Sequence, residues 1–212
     1  MFTGLIQKLG TLQKVTRRGK GASLTIKHTA WDEPVADGES IAVNGACLTV
    51  TNSSKVSFEC DLLEETLVKT NLGSKRHGAL LNLERAMRPI DRLGGHFVTG
   101  HIDGLGSLIA ARKVSEDVIL EIACDQEVMK YICTKGSVTC DGVSLTVTDI
   151  STSAFKVNLI PFTLKNTTLL LIKPGNTINI ETDILAKYVL RHSDKGKRGQ
   201  LTVERLHEFG FL

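Results

Sequence analysis

Long apolar runs are missing from this chain. One of the longest, residues 169–172, has four residues, against about 20 needed to cross a bilayer, so no membrane-spanning helix and no membrane partner are expected. The opening Met1-Phe2-Thr3-Gly4 shows no basic segment leading into an apolar stretch, so no secretory leader is read there and the expected compartment is the cytoplasm. The five cysteines, Cys47, Cys60, Cys124, Cys133 and Cys140, are odd in number and form no C-x-x-C pair. Neither a disulfide framework nor a structural zinc site is supported, and reduced thiols are the expectation. A surplus of one charge is also absent: 26 Lys and Arg stand against 23 Asp and Glu, for a formal +3. No basic, aromatic-bearing groove emerges, so nucleic acid is not an expected partner. Gly100, Gly104 and Gly106 have the wrong spacing for G-x-G-x-x-G, and no Walker lysine motif occurs. His96 and His101 are five residues apart with no thiolate or paired carboxylate nearby, which is poor ligand arithmetic. No metal and no cofactor are expected.

What is present is a folded chain of 212 residues, 42% hydrophobic and 23% charged, long enough for one domain or two small ones. It repeats itself once. Ser40-Ile-Ala-Val-Asn44-Gly45-Ala-Cys47-Leu-Thr49-Val-Thr51 returns as Ser137-Val-Thr-Cys-Asp141-Gly142-Val-Ser144-Leu-Thr146-Val-Thr148, an offset of 97 residues. Phe58, Leu62, Thr66, Leu67, Thr70, Leu72, Gly78, Asn82 and Glu84 recur at the same offset as Phe155, Leu159, Thr163, Leu164, Thr167, Leu169, Gly175, Asn179 and Glu181. At the start of each half the offset is 96: Thr3-Gly4, Ile6 and Leu9-Gly10 match Thr99-Gly100, Ile102 and Leu105-Gly106. A period this long is a whole small domain used twice. The expected units are 1–97, 98–183 and a C-terminal appendage, 184–212, without a partner in the first half.

Within each half, alternating apolar and β-branched residues mark short strands at 40–43, 48–51, 118–122 and 143–147. Asn44-Gly45 and Asp141-Gly142 are hairpin signals, and Asp103-Gly104 and Pro174-Gly175 are further turn signals. The expected class is all-β, a barrel or sandwich in each half, with short helices at 64–72, 162–170 and 126–132. Ile184, Leu185, Tyr188 and Val189 recur at helical spacing, an amphipathic stripe whose partner is expected to be another subunit. Residues 193–199 read as a polar loop and 202–209 as a second short helix.

Features found in only one copy are candidates for chemistry. Cys47 corresponds to Ser144, Asn44 to Asp141 and Leu5 to His101. A thiol two residues after a turn glycine can donate a weak hydrogen bond or attack as thiolate, and is also simply a small buried hydrophobe. The imidazole of His101 suits proton transfer near neutrality. Ser144 and Thr146, two apart on a strand, place their hydroxyls on one face, able to orient a polar ligand, as does Thr49 in the other half.

Taken together, several blocks resemble the riboflavin synthase alpha-chain family, which is built from lumazine-binding domains. They are Met1-Phe2-Thr3-Gly4, Asn44-Gly45-Ala-Cys47-Leu48-Thr49-Val-Thr51, Asn82-Leu-Glu84-Arg85-Ala86, Gly94-Gly95-His96-Phe-Val-Thr-Gly100-His101, Asp141-Gly142-Val-Ser144-Leu145-Thr146-Val, and Leu159-Ile160-Pro161 with Thr163-Leu164. The resemblance runs from Met1 to about Val189. It implies two tandem six-stranded Greek-key β-barrels and a C-terminal helical segment through which three chains associate as a homotrimer, and it extends to an association with lumazine synthase. Members of that family join two molecules of 6,7-dimethyl-8-ribityllumazine in a site shared between the N-terminal barrel of one subunit and the C-terminal barrel of its neighbour. A four-carbon unit passes from one to the other, giving riboflavin and 5-amino-6-(D-ribitylamino)uracil, the last step of riboflavin biosynthesis.

The resemblance further implies Cys47, His101, Ser144, Thr146 and Asp183 as the catalytic group, with Phe2, Ser40, Thr49 and Lys135 near the rings. His101 and Thr146 are expected to relay the proton of the ring methyl, and Cys47 and Ser144 to act at the ring carbon that adds a nucleophile. Backbone groups of Gly4, Leu5 and Ile6, of Cys47, Leu48 and Thr49, and of Asp61, Leu62, Leu63, Glu64, Glu65 and Thr66 are expected at the uracil edge and ribityl chain. So are those of Gly100, His101 and Ile102, of Ser144, Leu145 and Thr146, and of Asn158, Leu159, Ile160, Pro161, Phe162 and Thr163. Two features depart from the family pattern: Phe162 stands where a polar residue is expected, and Gly196 and Gly199 are expected to break the tail helix. Lumazine and yellow fluorescent proteins of luminous bacteria look similar and bind the same kind of chromophore without catalysis. The joint presence of the five catalytic candidates favours the enzyme.

Overall fold

The computed structural model describes residues 1–197 and residue 207. Its first six strands are β1 (Lys8–Arg18), β2 (Gly21–Lys27), β3 (Ser40–Val43), β4 (Ala46–Ser53), β5 (Ser57–Leu62) and β6 (Leu80–Arg85). They close into an antiparallel barrel in the order β1-β2-β5-β4-β3-β6. The next six are β7 (Gly104–Val114), β8 (Asp117–Ala123), β9 (Ser137–Cys140), β10 (Val143–Ile150), β11 (Ala154–Leu159) and β12 (Thr177–Thr182). They close in the same ring order, so the duplicated Greek-key architecture that the family resemblance implies is the one observed. Closure leaves neither barrel with a free sheet edge.

The repeat holds to the level of register. Ser40 pairs with Thr49 across β3 and β4, and Ser137 with Thr146 across β9 and β10. Bulges fall at matched places, between Leu12 and Lys14 and between Leu108 and Ala110, then between Val50 and Asn52 and between Val147 and Asp149. The hairpin turns form where the dipeptides predict, with φ of 45° and 81° at Asn44-Gly45 and 47° and 80° at Asp141-Gly142. Two consecutive positive φ values are what a primed turn requires, and Asn, Asp and Gly tolerate them best. Inward side chains fill each barrel, with Phe58 and Phe155 fully buried at equivalent places.

The helices are shorter than the sequence pattern predicts. α1 (Glu64–Lys69) stops before Leu72, and α3 (Pro161–Asn166) before Leu170; each is followed by a 3₁₀ turn. The cause is a threonine. Thr70 and Thr167 turn their hydroxyls back to the carbonyls of Thr66 and Thr163, at 2.6 and 2.8 Å, and accept from the amides of Leu72 and Leu169. That local bonding competes with the helical ladder and starts a new turn. Between them, α2 (Gln126–Met129) is a single turn, and Ile132 lies beyond it. The tail also differs: α4 (Ile184–Lys197) runs without a break through residues 193–197, including Gly196, where a loop is expected. A mid-helix glycine costs about 1 kcal/mol relative to alanine, too little to stop a helix already propagating. The second tail helix expected at 202–209 lies outside the described residues apart from 207, and Gly199 lies outside them too. Among the described residues no helix is long and apolar enough to cross a membrane, which says nothing about strands.

The barrels meet along a buried polar seam that repeats the twofold relation. Asn82 donates to the Asp141 carbonyl at 2.9 Å and accepts from the Thr168 amide at 2.8 Å. Its counterpart Asn179 donates to the Asn44 carbonyl at 2.8 Å and accepts from the Asn71 amide at 2.6 Å. These amides take up backbone groups that the other barrel leaves unpaired, which is how a polar interface tolerates full burial.

Candidate functional site

The segments that lead into the two barrels are exchanged between them. Thr3 and Gly4 precede the first barrel, yet the Gly4 carbonyl accepts from the amide of Ser144 on β10 at 2.8 Å. Thr99 and Gly100 precede the second, yet the Gly100 carbonyl accepts from the amide of Cys47 on β4 at 2.9 Å. The side chains follow the backbone: Ile6 packs against the core of the second barrel and Ile102 against the core of the first. Both glycines have left-handed backbones, φ 78° and 82°. A Cβ on Gly4 would stand 2.6 Å from the Ser144 Cβ, and one on Gly100 2.5 Å from that of Cys47. No other residue fits either place.

A buried carboxylate clamps each lead. Glu84 at the end of β6 accepts from the amide and hydroxyl of Thr3, both at 2.7 Å, and from the amide of Gly4 at 3.0 Å. Glu181 on β12 accepts from the amide and hydroxyl of Thr99 at 2.7 and 2.6 Å, and from the amide of Gly100 at 2.9 Å. Burial pushes both carboxyls above their ordinary range, and the donated hydrogen bonds pull them part of the way back. The two glutamates were visible in the sequence as a matched pair, but nothing there said that they hold the leads.

The exchange sorts the sequence candidates into two groups, one on each barrel. Cys47, Ser40 and Thr49 lie on β3 and β4 of the first barrel, under the lead that carries Gly100, His101 and Ile102. The end of β5 runs through Asp61 and Leu62 to Leu63, which begins α1 with Glu64, Glu65 and Thr66. A cavity of about 450 Å³ takes in residues 61–65 and adds Arg18 and Lys20. Ser144, Leu145 and Thr146 lie on β10 of the second barrel, under the lead that carries Gly4, Leu5 and Ile6. Asn158 and Leu159 end β11, and Ile160 leads into α3 with Pro161, Phe162 and Thr163. Lys135, at φ 67°, donates its amide to the Val147 carbonyl at 2.8 Å. Leu5 and Ile6 also border a separate cavity of about 860 Å³ beside Trp31 and Arg85 on the first barrel. Asp183 caps α4, accepting from the amide of Leu185 at 3.0 Å.

His101 and Thr146, which the resemblance implies as a proton relay in a site shared between subunits, belong to different barrels of this chain. His101 rides on the lead over β4, Thr146 stands on β10, and no hydrogen bond joins them among the described residues. Phe2 is fully buried against Ala42, Val98 and Cys47, so it backs the thiol from inside. Phe162 is 73% exposed. Among the described residues no group of three His, Cys, Asp or Glu could hold a metal ion.

One residue was missed. His96 approaches Ser144, with Nδ1 2.8 Å from Oγ, and is only 8% exposed. In the sequence it stood only within the Gly94-Gly95-His96 block. Burial holds the imidazole below its ordinary value, and the charge of Asp183 opposes that effect.

The duplicated barrels with exchanged leads are those of a lumazine-binding double barrel, and the Lumazine binding domain family matches residues 3–86 and again 99–183. Over the full length of both chains, this one is 40% identical to the riboflavin synthase of Actinobacillus pleuropneumoniae and 39% identical to that of Bacillus subtilis (strain 168). It is 37% identical, again over the whole of both chains, to the riboflavin synthase of Photobacterium phosphoreum. The chain belongs to the riboflavin synthase family. In fold it is similar to LumP, whose crystal structures complexed with 6,7-dimethyl-8-(1'-D-ribityl) lumazine and with riboflavin superpose with TM-scores of 0.75 and 0.77. Those two matches are 22% and 24% identical in sequence, and each covers 86% of this chain and 99% of the other.

Proposed function

We propose that this chain is a riboflavin synthase in action as in descent, converting two molecules of 6,7-dimethyl-8-ribityllumazine into riboflavin and 5-amino-6-(D-ribitylamino)uracil. The observation that carries the reading is the duplicated barrel with exchanged leads: one substrate used twice needs two related sites. Holding two identical reactants in near-attack geometry lowers a barrier by about 7–11 kcal/mol, a large part of what a dilute bimolecular step requires. The side chains supply the rest, Cys47, Thr49 and His101 from the first cleft and Ser144, Thr146, Lys135 and Asp183 from the second. His101 and Thr146 meet across two chains, the first cleft of one subunit closing on the second cleft of its neighbour.

An oligomer is supported by a side of α4 that no described residue covers, where Leu185, Tyr188 and Val189 are 55, 62 and 64% exposed, an apolar patch of the kind that marks an interaction surface. We take it as a homotrimer in the cytoplasm, with 1–97, 98–183 and 184–212 as its units, and extend the reading to association with lumazine synthase. The test is turnover by the purified chain with the lumazine alone, no metal or nucleotide added, read by riboflavin absorbance. One riboflavin and one diaminouracil product per two lumazines consumed is the expected result. A chain that binds the lumazine tightly and returns it unchanged would be the optical binder instead.

A further inference from the structure

Of the two leads, the second places a histidine directly after its glycine, and that same lead is tied to the tail helix. In the first half Gln7 stands two residues after Leu5 and accepts from the Arg85 amide at 3.1 Å, and no helix follows β6 before the next strand. In the second half Asp103 stands two residues after His101. Its amide donates to the Ile180 carbonyl at 2.9 Å. One of its carboxylate oxygens accepts from the amide and the hydroxyl of Thr182, both at 2.8 Å, and the other accepts from Lys187 Nζ on α4 at 2.6 Å. A carboxylate taken up on both oxygens, once by a cation, is held in one orientation. Lys187 acts on a second carboxylate as well. Its charge draws down the raised carboxyl of Glu181, which clamps Thr99 and Gly100 on the other side of His101. At Glu84 the corresponding pull comes from the hydrogen bonds of Thr3, Gly4 and Leu5. One cation of the tail thus faces the anchors on both sides of His101.

The lysine sits apart from the outward side of its helix. Ile184 and Lys187, three residues apart, are half-buried, whereas Leu185, Tyr188 and Val189 are exposed. Seating a helix end by burial needs only an apolar residue such as Ile184. A lysine with 23% of its side chain exposed gives up part of its hydration and recovers it from its carboxylate partners. At that depth the Lys187–Asp103 pair is screened less than an open pair such as Lys156–Asp149, whose side chains are 39 and 61% exposed. We infer that Lys187 is a positioning residue for His101: through its ion pair with Asp103 it ties α4 to the far end of the lead and fixes where the imidazole stands over the first barrel. The inference rests on the proposal that His101 takes part in the reaction. Whatever holds the outer side of α4 then holds His101 in place as well, because the pair joins helix and lead into one unit.

The test uses the full chain as Lys187→Met, Lys187→Arg, Asp103→Asn, the double variant Lys187→Met/Asp103→Asn, and Lys156→Met as the control on the open pair. The measurements are kcat and KM for the lumazine, mass in solution by light scattering, and the NMR signal of the His101 ring in histidine-labelled chain, identified by its loss in His101→Ala. For Lys187→Met the expected result is a kcat lower by about 10- to 100-fold, up to the loss that about 1 Å of misplacement brings, with KM within about threefold because Glu181 still holds Gly100. Its mass should equal the parent's and its His101 signal should shift. Lys187→Arg keeps the charge and should restore most of the rate. Asp103→Asn should match Lys187→Met, the double variant should be no slower than the slower single, and Lys156→Met should behave as the parent. If Lys187→Met and Asp103→Asn keep the parent's kcat and His101 signal, the inference is overturned and the proposed function stands. A slow Lys187→Met that has lost its parental mass, beside an Asp103→Asn at parental rate and signal, also overturns it, since the lysine would then serve assembly alone. If His101→Ala runs at full rate, the proposed role of His101 fails first, and the NMR signal still decides whether Lys187 places the ring. Should Lys187→Met not fold, Asp103→Asn decides alone.

Discussion

Gly45 and Gly142 face each other across the seam so closely that a Cβ on Gly45 would stand 2.8 Å from the Gly142 nitrogen, and one on Gly142 2.7 Å from the Gly45 nitrogen. Each also carries a positive φ, 81° and 80°. The two hairpin turns are therefore a point of close backbone contact between the barrels. Gly142→Ala should lose stability twice over, by about 1–2 kcal/mol for the left-handed backbone and by about 1–3 kcal/mol for overpacking. For a chain of this size each kcal/mol moves Tm by about 2–4 °C. Calorimetry should find a fall of at least about 5 °C, and Gly78→Ala, whose added Cβ meets nothing within 4 Å, should fall less at a similar φ.

The same seam holds a titrating group. Asp141 accepts from the amide of Asn179 and from the Asn71 side chain, both at 2.8 Å, yet burial pushes its carboxyl from an ordinary 3.8 up to about 6. A carboxyl raised in the folded state binds its proton more tightly there than in the unfolded chain. Its contribution is therefore fully present below the unfolded value and is lost as pH rises through about 6. The difference is worth about 3 kcal/mol at 1.36 kcal/mol per unit. Denaturant unfolding between about pH 3.5 and 7 should show that slope in the parent and its absence in Asp141→Asn. An identical slope in both would place the titration elsewhere.

Much of this fold can be read from the chain because duplication prints each decision twice. The hairpins at Asn44-Gly45 and Asp141-Gly142 and the two β-rich units follow from local pattern repeated at a constant offset, while their closure as six-stranded barrels was implied by the family resemblance. Helix ends were less legible, since the side-chain bonds of Thr70 and Thr167 depend on a backbone already bent. The exchange of leads could not be read at all. Gly4 and Gly100 look like parts of their own halves, and only tertiary packing reveals that each serves the other barrel. For the same reason Glu84 and Glu181 showed only as a matched pair, with no sign that they hold Gly4 and Gly100.

The five thiols offer a direct check on the clefts. Burial and neighbouring carboxylates push the Cys60 and Cys124 thiols up to about 12, and burial raises that of Cys140 as well. Thiolate is the reactive form, so these three should resist alkylation until the chain unfolds. Cys133 is exposed and Cys47 half-buried. Iodoacetamide labelling followed by peptide mass mapping should modify Cys133 first and Cys47 more slowly. Lumazine should slow labelling at Cys47 and leave Cys133 unchanged. Equal protection of both would detach Cys47 from the cleft.

The two clamps should fail one cleft at a time. In Glu181→Gln an amide N–H₂ replaces one of the oxygens that accept from Thr99 and Gly100, setting donor against donor over His101. Leaving such a buried group unpaired costs about 1–3 kcal/mol. Through the exchange, the cleft that loosens is the one on the first barrel, although Glu181 belongs to the second. Glu84→Gln should do the converse, loosening Gly4 over Ser144. Riboflavin titrations by fluorescence and by NMR should find two sites in the parent. Each variant should keep one site at parental affinity and weaken the other by about 5- to 150-fold. A Cys47→Ser change should disturb the same resonances that Glu181→Gln moves, and Ser144→Ala those that Glu84→Gln moves. If Glu181→Gln instead weakened the Ser144 site, the leads would not be exchanged in the working protein.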